Sequence, residues 1–205
     1  MSTRREFLKV SAAAGAAASL STAGAFAAGN ETIKIGLIGC GGRGTGAVLD
    51  SLRAEQKING SNPKTEIVAI ADAFKRNAEL ALRTFTSKDA RSSFRPFASQ
   101  IKVTPETTFH GLDAYEKVLN AGVDLVILAT PPGFRPLHLE AAIKAGKHIF
   151  CEKPVAVDAT GARKCYSLVD EAKKRNLAIV AGTQRRHQKG YLETIQKIND
   201  GAIGE

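Results

Sequence analysis

Residues 33–46 read IKIGLIGCGGRGTG, and this stretch decides the fold. Ile33, Ile35, Leu37 and Ile38 form an apolar run short enough for a strand, predicted over 33–39. Gly39, Gly41 and Gly44 then fall in GxGxxG spacing and open a helix predicted near 43–57. Glycines at this junction let a backbone approach a pyrophosphate, while the helix N-terminus turns unpaired N–H groups toward its charge. A glycine pattern alone is a weak signal. Its placement between strand and helix predicts a nicotinamide dinucleotide site, for NAD or NADP.

Outward from this stretch, apolar runs alternate with helical patterns. Further strands are expected at 66–71, 123–130, 147–151 and 177–181, with a shorter one near 107–109. Helices are expected near 74–85, 111–120, 134–145 and 158–175. The continuous Val/Ile/Leu runs imply strands buried on both faces, hence a Rossmann-type doubly wound parallel α/β sheet over residues 31–183. In the last helix, Ala162, Cys165, Val169 and Ala172 define an expected packing face. Gly122, Gly146 and Asn176 sit where a left-handed residue closes a helix. The stretch 87–107 lacks periodicity and is expected to be a surface loop.

Asp72 closes the second strand, where a carboxylate accepts hydrogen bonds from the adenosine ribose. It lies farther from the glycines than the usual ~20 residues, an excess that the turn-rich insert NGSNPKT, 59–65, accounts for. The same carboxylate can cap the helix beginning at Phe74. Lys75 and Arg76 would soften the repulsion between Asp72 and a 2′-phosphate, so NAD is favoured over NADP only slightly.

The N-terminus carries an address. Thr3-Arg4-Arg5-Glu6-Phe7-Leu8-Lys9 fits the twin-arginine export pattern, followed by an Ala/Gly/Ser-rich run and an AxA cleavage site at Ala25-Phe26-Ala27. Residues 1–28 are read as the signal, with the export machinery as partner and a periplasmic or otherwise exported destination. The run is too poor in Leu, Ile, Val and Phe for a stable membrane anchor.

The formal charge of +9 over 205 residues invites a nucleic-acid reading. The basic residues are scattered, Trp is absent and aromatics are 6%, so the charge is read as a solvated surface, with no nucleic-acid partner. Cys40, Cys151 and Cys165 form no CxxC pair, which indicates neither a metal site nor a disulfide framework.

Two later stretches are more specific: ATPPGFRPLH, 129–138, and KAGKHIFCEKPVA, 144–156. Together they resemble the Gfo/Idh/MocA oxidoreductases, in which a TPP-to-His segment precedes a GKHxxxEKP strand end. The resemblance runs from Ile33 to the chain end, with GTQRRHQ, 182–188, and NDGAIGE, 199–205, looking like the passage into a second domain. It implies hydride transfer between a tightly bound cofactor and a sugar, polyol or related secondary alcohol. It places Glu152 and Lys153 beside the nicotinamide, with Lys153 as the catalytic residue, and Pro131 and Pro132 in the loop beneath the ring. A lysine suits that chemistry because an ammonium stabilises a developing alkoxide. The alternative for Glu152 and Lys153 is an exposed ion pair at a strand end. His138 fits loop support as well as acid–base work. Gln184 and Arg185 are candidates for substrate hydroxyls, with surface solvation the competing explanation for this group.

The resemblance also calls for a second α+β domain, of which 184–205 would be only the start. The 205-residue chain is therefore expected to be catalytically incomplete, with homo-oligomers possible at full length. Twin-arginine export carries folded proteins, so the cofactor can be seated before export and retained, as in the family's glucose-fructose oxidoreductase. An NAD-dependent glycoside hydrolase using transient oxidation, and a noncatalytic nucleotide-binding fragment, remain as alternatives.

Overall fold

In the computed structural model, which describes residues 32–204, six strands form one parallel sheet in the order β3-β2-β1-β4-β5-β6. The expected signal at 1–28 lies outside the described residues. The strands are β1 (Ile33–Ile38), β2 (Thr65–Asp72), β3 (Thr108–His110), β4 (Leu125–Leu128), β5 (His148–Cys151) and β6 (Ile179–Ala181). The helices are α1 (Gly42–Asn59), α2 (Lys75–Phe85), α3 (Ala114–Leu119), α4 (Arg135–Lys144), α5 (Ala159–Lys174) and α6 (Lys189–Asn199). The strand order reverses between β1 and β4, which pair from Ile35–Leu125 to Ile38–Leu128. Open parallel sheets form their ligand crevice at such a switch point, beyond the carboxyl ends of the strands.

Each face of the sheet has its own core, which is why the strands read as unbroken apolar runs. Ile35, Leu37, Ile67, Ile70 and Ile127 pack with Val48 and Leu52 of α1 and Phe85 of α2. Ile38, Val126, Leu128 and Ile149 pack on the other side with Val118 of α3, Ile143 of α4 and Leu168 of α5. The three expected helix-closing residues are left-handed, with φ of 73° at Gly122, 70° at Gly146 and 55° at Asn176.

Three features depart from the sequence reading. Residues 87–107 are no simple surface loop, because Phe94, Phe97, Gln100 and Val103 are buried. Phe94 meets Phe85 edge-on with ring centroids 4.8 Å apart, and the Lys102 N–H donates to the Ile67 carbonyl at 2.8 Å. The anchors are spaced irregularly along the chain, so they leave no strand or helix period to detect. Gln100 Nε2 donates to buried Glu55 of α1 at 2.6 Å. Glu55 also accepts from the Thr65 hydroxyl at 3.0 Å and from the Lys64 N–H, so one carboxylate secures both this loop and the 59–65 insert.

On α5 the buried face is Cys165, Leu168 and Ala172, while Val169 is exposed. Cys165 and Ala172 of the expected face are buried, and between them Leu168 takes the place expected for Val169. Lastly, α6 forms where the sequence predicts no element. Its Tyr191, Leu192, Ile195 and Ile198 are exposed, so no core contact reinforces the pattern there.

Candidate functional site

A cavity of about 540 Å³ opens at the carboxyl ends of β1, β2 and β4. The glycine turn forms one wall, and its three motif glycines are there for different reasons. Gly39 has φ +104°, and a Cβ on it would lie 2.6 Å from the backbone of Ala129 and Thr130. A Cβ on Gly44 would lie 1.8 Å from the Gly39 carbonyl oxygen. These two are required by the fold. Gly41 caps α1 in an extended conformation, lines the cavity, and has nothing within 4 Å of the position its Cβ would take. Packing within the protein therefore does not require glycine at Gly41.

Asp72 stands opposite, at the end of β2 and in the cavity wall. Its Oδ2 accepts from the Cys40 N–H at 2.8 Å, tying β2 to the glycine turn. Its Oδ1 accepts from the Phe74 N–H at 2.9 Å and from Asn77 Nδ2 at 3.1 Å. The helix cap of α2 is Phe74, with no side-chain capping bond, so the capping role considered for Asp72 is corrected to a turn just before the helix. The carboxylate also raises the pKa of the neighbouring Cys40 thiol, although burial is the larger cause.

The third wall follows β4. Ala129, Thr130, Pro131 and Phe134 line the cavity, while Pro132 begins the short turn Pro132–Phe134 that leads into α4. Arg135, at the start of α4, is almost wholly buried. Its guanidinium donates to the Leu128 carbonyl and, at 2.8 Å, to the Thr130 carbonyl, which pins the end of β4. Burial holds its pKa below the usual arginine value. His138, one helical turn on, is buried between Tyr115 and Phe134, with ring centroids at 4.6 and 6.0 Å. Its Nδ1 lies 3.1 Å from the Thr130 hydroxyl. Burial, with the Arg135 charge adding to it, pushes its pKa down to about 4, so the ring is neutral at pH 7. This environment favours loop support over acid–base work for His138.

Glu152 was expected beside the nicotinamide or, alternatively, in an exposed pair with Lys153. It is buried, 3% exposed, which rules out the second arrangement and not the first. Its Oε1 receives Arg43 Nε at 2.7 Å and lies 2.5 Å from Arg43 Nη2, so the exposed-pair reading is corrected. A buried carboxylate needs a cation, and the guanidinium reaching over from α1 supplies it. Lys153 is exposed at the turn after β5 and is not part of the cavity wall. Gln184 and Arg185 are also exposed, on the turn Gln184–Arg186, with the Arg185 guanidinium 5.4 Å from the Tyr191 ring centre. The structure thus gathers Gly39, Gly41, Asp72 and Pro131 at one cavity, with Gly44 packed behind them, and leaves Lys153, Gln184 and Arg185 outside its wall. The sequence reading missed Arg43 and Arg135, since an arginine whose role is to pair inside the molecule has no periodic signature.

Residues 33–182 match the Gfo/Idh/MocA family, described as an oxidoreductase family with an NAD-binding Rossmann fold. Residues 1–21 match the TAT (twin-arginine translocation) pathway signal sequence. Inositol 2-dehydrogenase of Rhizobium meliloti is 28% identical over 174 residues, covering 85% of this chain and 43% of that protein. Inositol 2-dehydrogenase of Serratia proteamaculans is 32% identical over 178 residues, with coverage of 85% and 43%. The chain spans less than half the length of these relatives. Among solved structures, an NAD binding oxidoreductase from Klebsiella pneumoniae superposes with a TM-score of 0.58 at 24% identity, over 85% of this chain and 40% of that one. A 3-ketoreductase from Actinomadura kijaniata, solved with NADP, gives 0.58 at 23% identity, over 85% and 46%. At these identities the structural likeness is one of fold.

Proposed function

The chain belongs to the Gfo/Idh/MocA oxidoreductase family, and from that premise we propose that its 33–182 region holds NAD in an exported dehydrogenase acting on a polyol or sugar alcohol. The observation that carries this reading is Gly41, a glycine with no packing need for one, on the wall of a cavity that also presents Asp72. Glycine backbone and a helix N-terminus suit a pyrophosphate, and a carboxylate at the end of β2 suits ribose hydroxyls. The residues present fit the cofactor. NAD is slightly preferred to NADP because Asp72 would face a 2′-phosphate, and of the two cations that would soften that repulsion, Lys75 and Arg76, the first lies 3.7 Å from Glu79.

When bound, the nicotinamide accepts or returns a hydride. The chain's own contribution lies in placement. The glycine turn fixes the pyrophosphate, Asp72 orients the ribose, and Pro131 shapes the wall on the β4 side. Lys153, in the turn after β5, stabilises the negative charge that develops on the substrate oxygen. The polyol substrate class is supported by the relatives named inositol 2-dehydrogenases. Among the described residues no helix is long and apolar enough to cross a membrane. The twin-arginine signal supports export to the periplasm, and since that route carries folded proteins the cofactor is seated before export and carried along.

The test is to purify the processed protein from the periplasm, measure its nucleotide content, and titrate any empty fraction with NAD and NADP by calorimetry. Co-purified nucleotide near one per chain supports the retained cofactor, and empty protein that binds NAD readily overturns retention. Absence of binding to either nucleotide overturns the cofactor site itself.

A further inference from the structure

We infer that Arg43 is a cofactor-binding residue held in place by Glu152, and that its guanidinium contacts the dinucleotide phosphate farther from adenosine. This rests on the cofactor site proposed above and adds to it a specific cation that the glycine motif does not specify.

The pair is poorly explained by stability alone. Arg43 stands in the first turn of α1, where the helix dipole opposes a positive charge. Glu152 has its side chain 4% exposed, and burying a carboxylate is costly even when it is paired. Two apolar residues would often serve a fold as well or better. What the arrangement provides is an oriented charge. Both contacts to Glu152 use Nε and Nη2 of the guanidinium, which leaves Nη1 uncommitted, and Arg43 lines the cavity beside Gly41 and Gly42 with its side chain 45% exposed.

Glu152 is itself firmly seated. Its N–H donates to the Leu128 carbonyl at 2.9 Å, and its carboxylate lies so close to Gly182 that a Cβ there would be 3.0 Å from Oε1. The anchor therefore sits just past the end of β5, and the guanidinium it holds bridges from the glycine turn toward the turn that bears Lys153. Asp72 marks the adenosine end of the cavity, so Arg43 lies on the side of the glycine turn toward the second phosphate. Glu152 acts through Arg43 and is a positioning residue.

The test compares AMP, ADP and NAD binding by calorimetry, in wild type and in the double variant Arg43→Gln/Glu152→Gln, which removes both charges without stranding a buried carboxylate. Loss of a charge-assisted hydrogen bond predicts ADP and NAD binding weakened about 10- to 100-fold, with AMP binding held within about twofold. The salt dependence of ADP binding should flatten in parallel. Arg43→Lys keeps the charge but not the fork, and should show a smaller loss confined to ADP and NAD. Equal losses for AMP and ADP, or wild-type affinity for all three ligands in either variant, would overturn the assignment. Wild-type protein that binds no dinucleotide overturns the cofactor site and this assignment with it.

Discussion

Gly44 sits so close to Gly39 that a methyl group on the former would lie 1.8 Å from the carbonyl oxygen of the latter. The neighbour is backbone and cannot rotate away, so Gly44→Ala should destabilise the protein by on the order of 2 kcal/mol or more. Gly41→Val meets open space and should change stability by only about 1 kcal/mol. It should nonetheless weaken NAD binding about 10-fold or more, because the new side chain fills the approach to the helix N-terminus. Urea melts paired with NAD titration check both. Unchanged NAD affinity in folded Gly41→Val would remove the pyrophosphate from this turn.

Asp72 serves the turn as well as the ligand. Asp72→Ala strands the N–H groups of Cys40 and Phe74, which the carboxylate accepts at 2.8 and 2.9 Å. A stability loss of about 1–3 kcal/mol is expected, together with weaker NAD binding. Asp72→Asn, which retains one acceptor oxygen, should fall between the two in urea melts and in titration.

His138 sets a pH dependence. Its native pKa of about 4 lies below the unfolded value of about 6.5. Its contribution to stability is complete above pH 6.5, is lost as the pH falls toward 4 because only the unfolded ring takes up a proton, and levels off below that. Between pH 7 and 5 the loss should be about 2 kcal/mol. Urea melts of His138→Gln across this range should lack that component, and a slope identical to wild type would refute the assignment.

Arg135→Met keeps much of the side-chain length but leaves the Leu128 and Thr130 carbonyls without their buried donor. A loss of about 2–4 kcal/mol is expected. Since Thr130 lines the cavity, NAD affinity should fall with it. A thermal melt and a titration on the same sample show whether the two move together.

For chemistry, Lys153→Met should retain much of its NAD binding, since Lys153 lies outside the wall of the cavity that holds the glycine turn and Asp72, yet slow polyol-dependent reduction by about 100-fold or more. Absorbance of the reduced nicotinamide follows the reaction in protein that turns over. A wild-type rate in the variant would take Lys153 out of the catalytic centre.

The parts legible in the sequence are those with local grammar. A strand that ends in GxGxxG, a left-handed Gly122 after a helix, and a carboxylate at the end of β2 each follow from a few adjacent residues. What escaped depends on partners far along the chain. Glu152 reads as an exposed charge until Arg43, 109 residues away, is brought to it. Phe94 and Phe97 read as loop residues until they join Phe85, Ile67 and Ile70 in one core. Val169 and Leu168 are adjacent apolar residues on α5, and only the packing against β5 and α4 selects the second.

The three cysteines, finally, are all reduced and all buried. Burial raises each thiol's pKa, most strongly at Cys40, where Asp72 adds to the effect. Thiolate is the reactive form, and these sulfurs stay both protonated and shielded while the fold is intact. An oxidising compartment then has little purchase on them, and the same property makes them a tamper seal. Cys151 and Cys165 line a second cavity, but Cys40, 5% exposed within the glycine turn, is not part of its wall, and an alkylating reagent reaches that sulfur only through an opening of the molecule. Its rate of labelling becomes a clock for how often the folded chain comes apart.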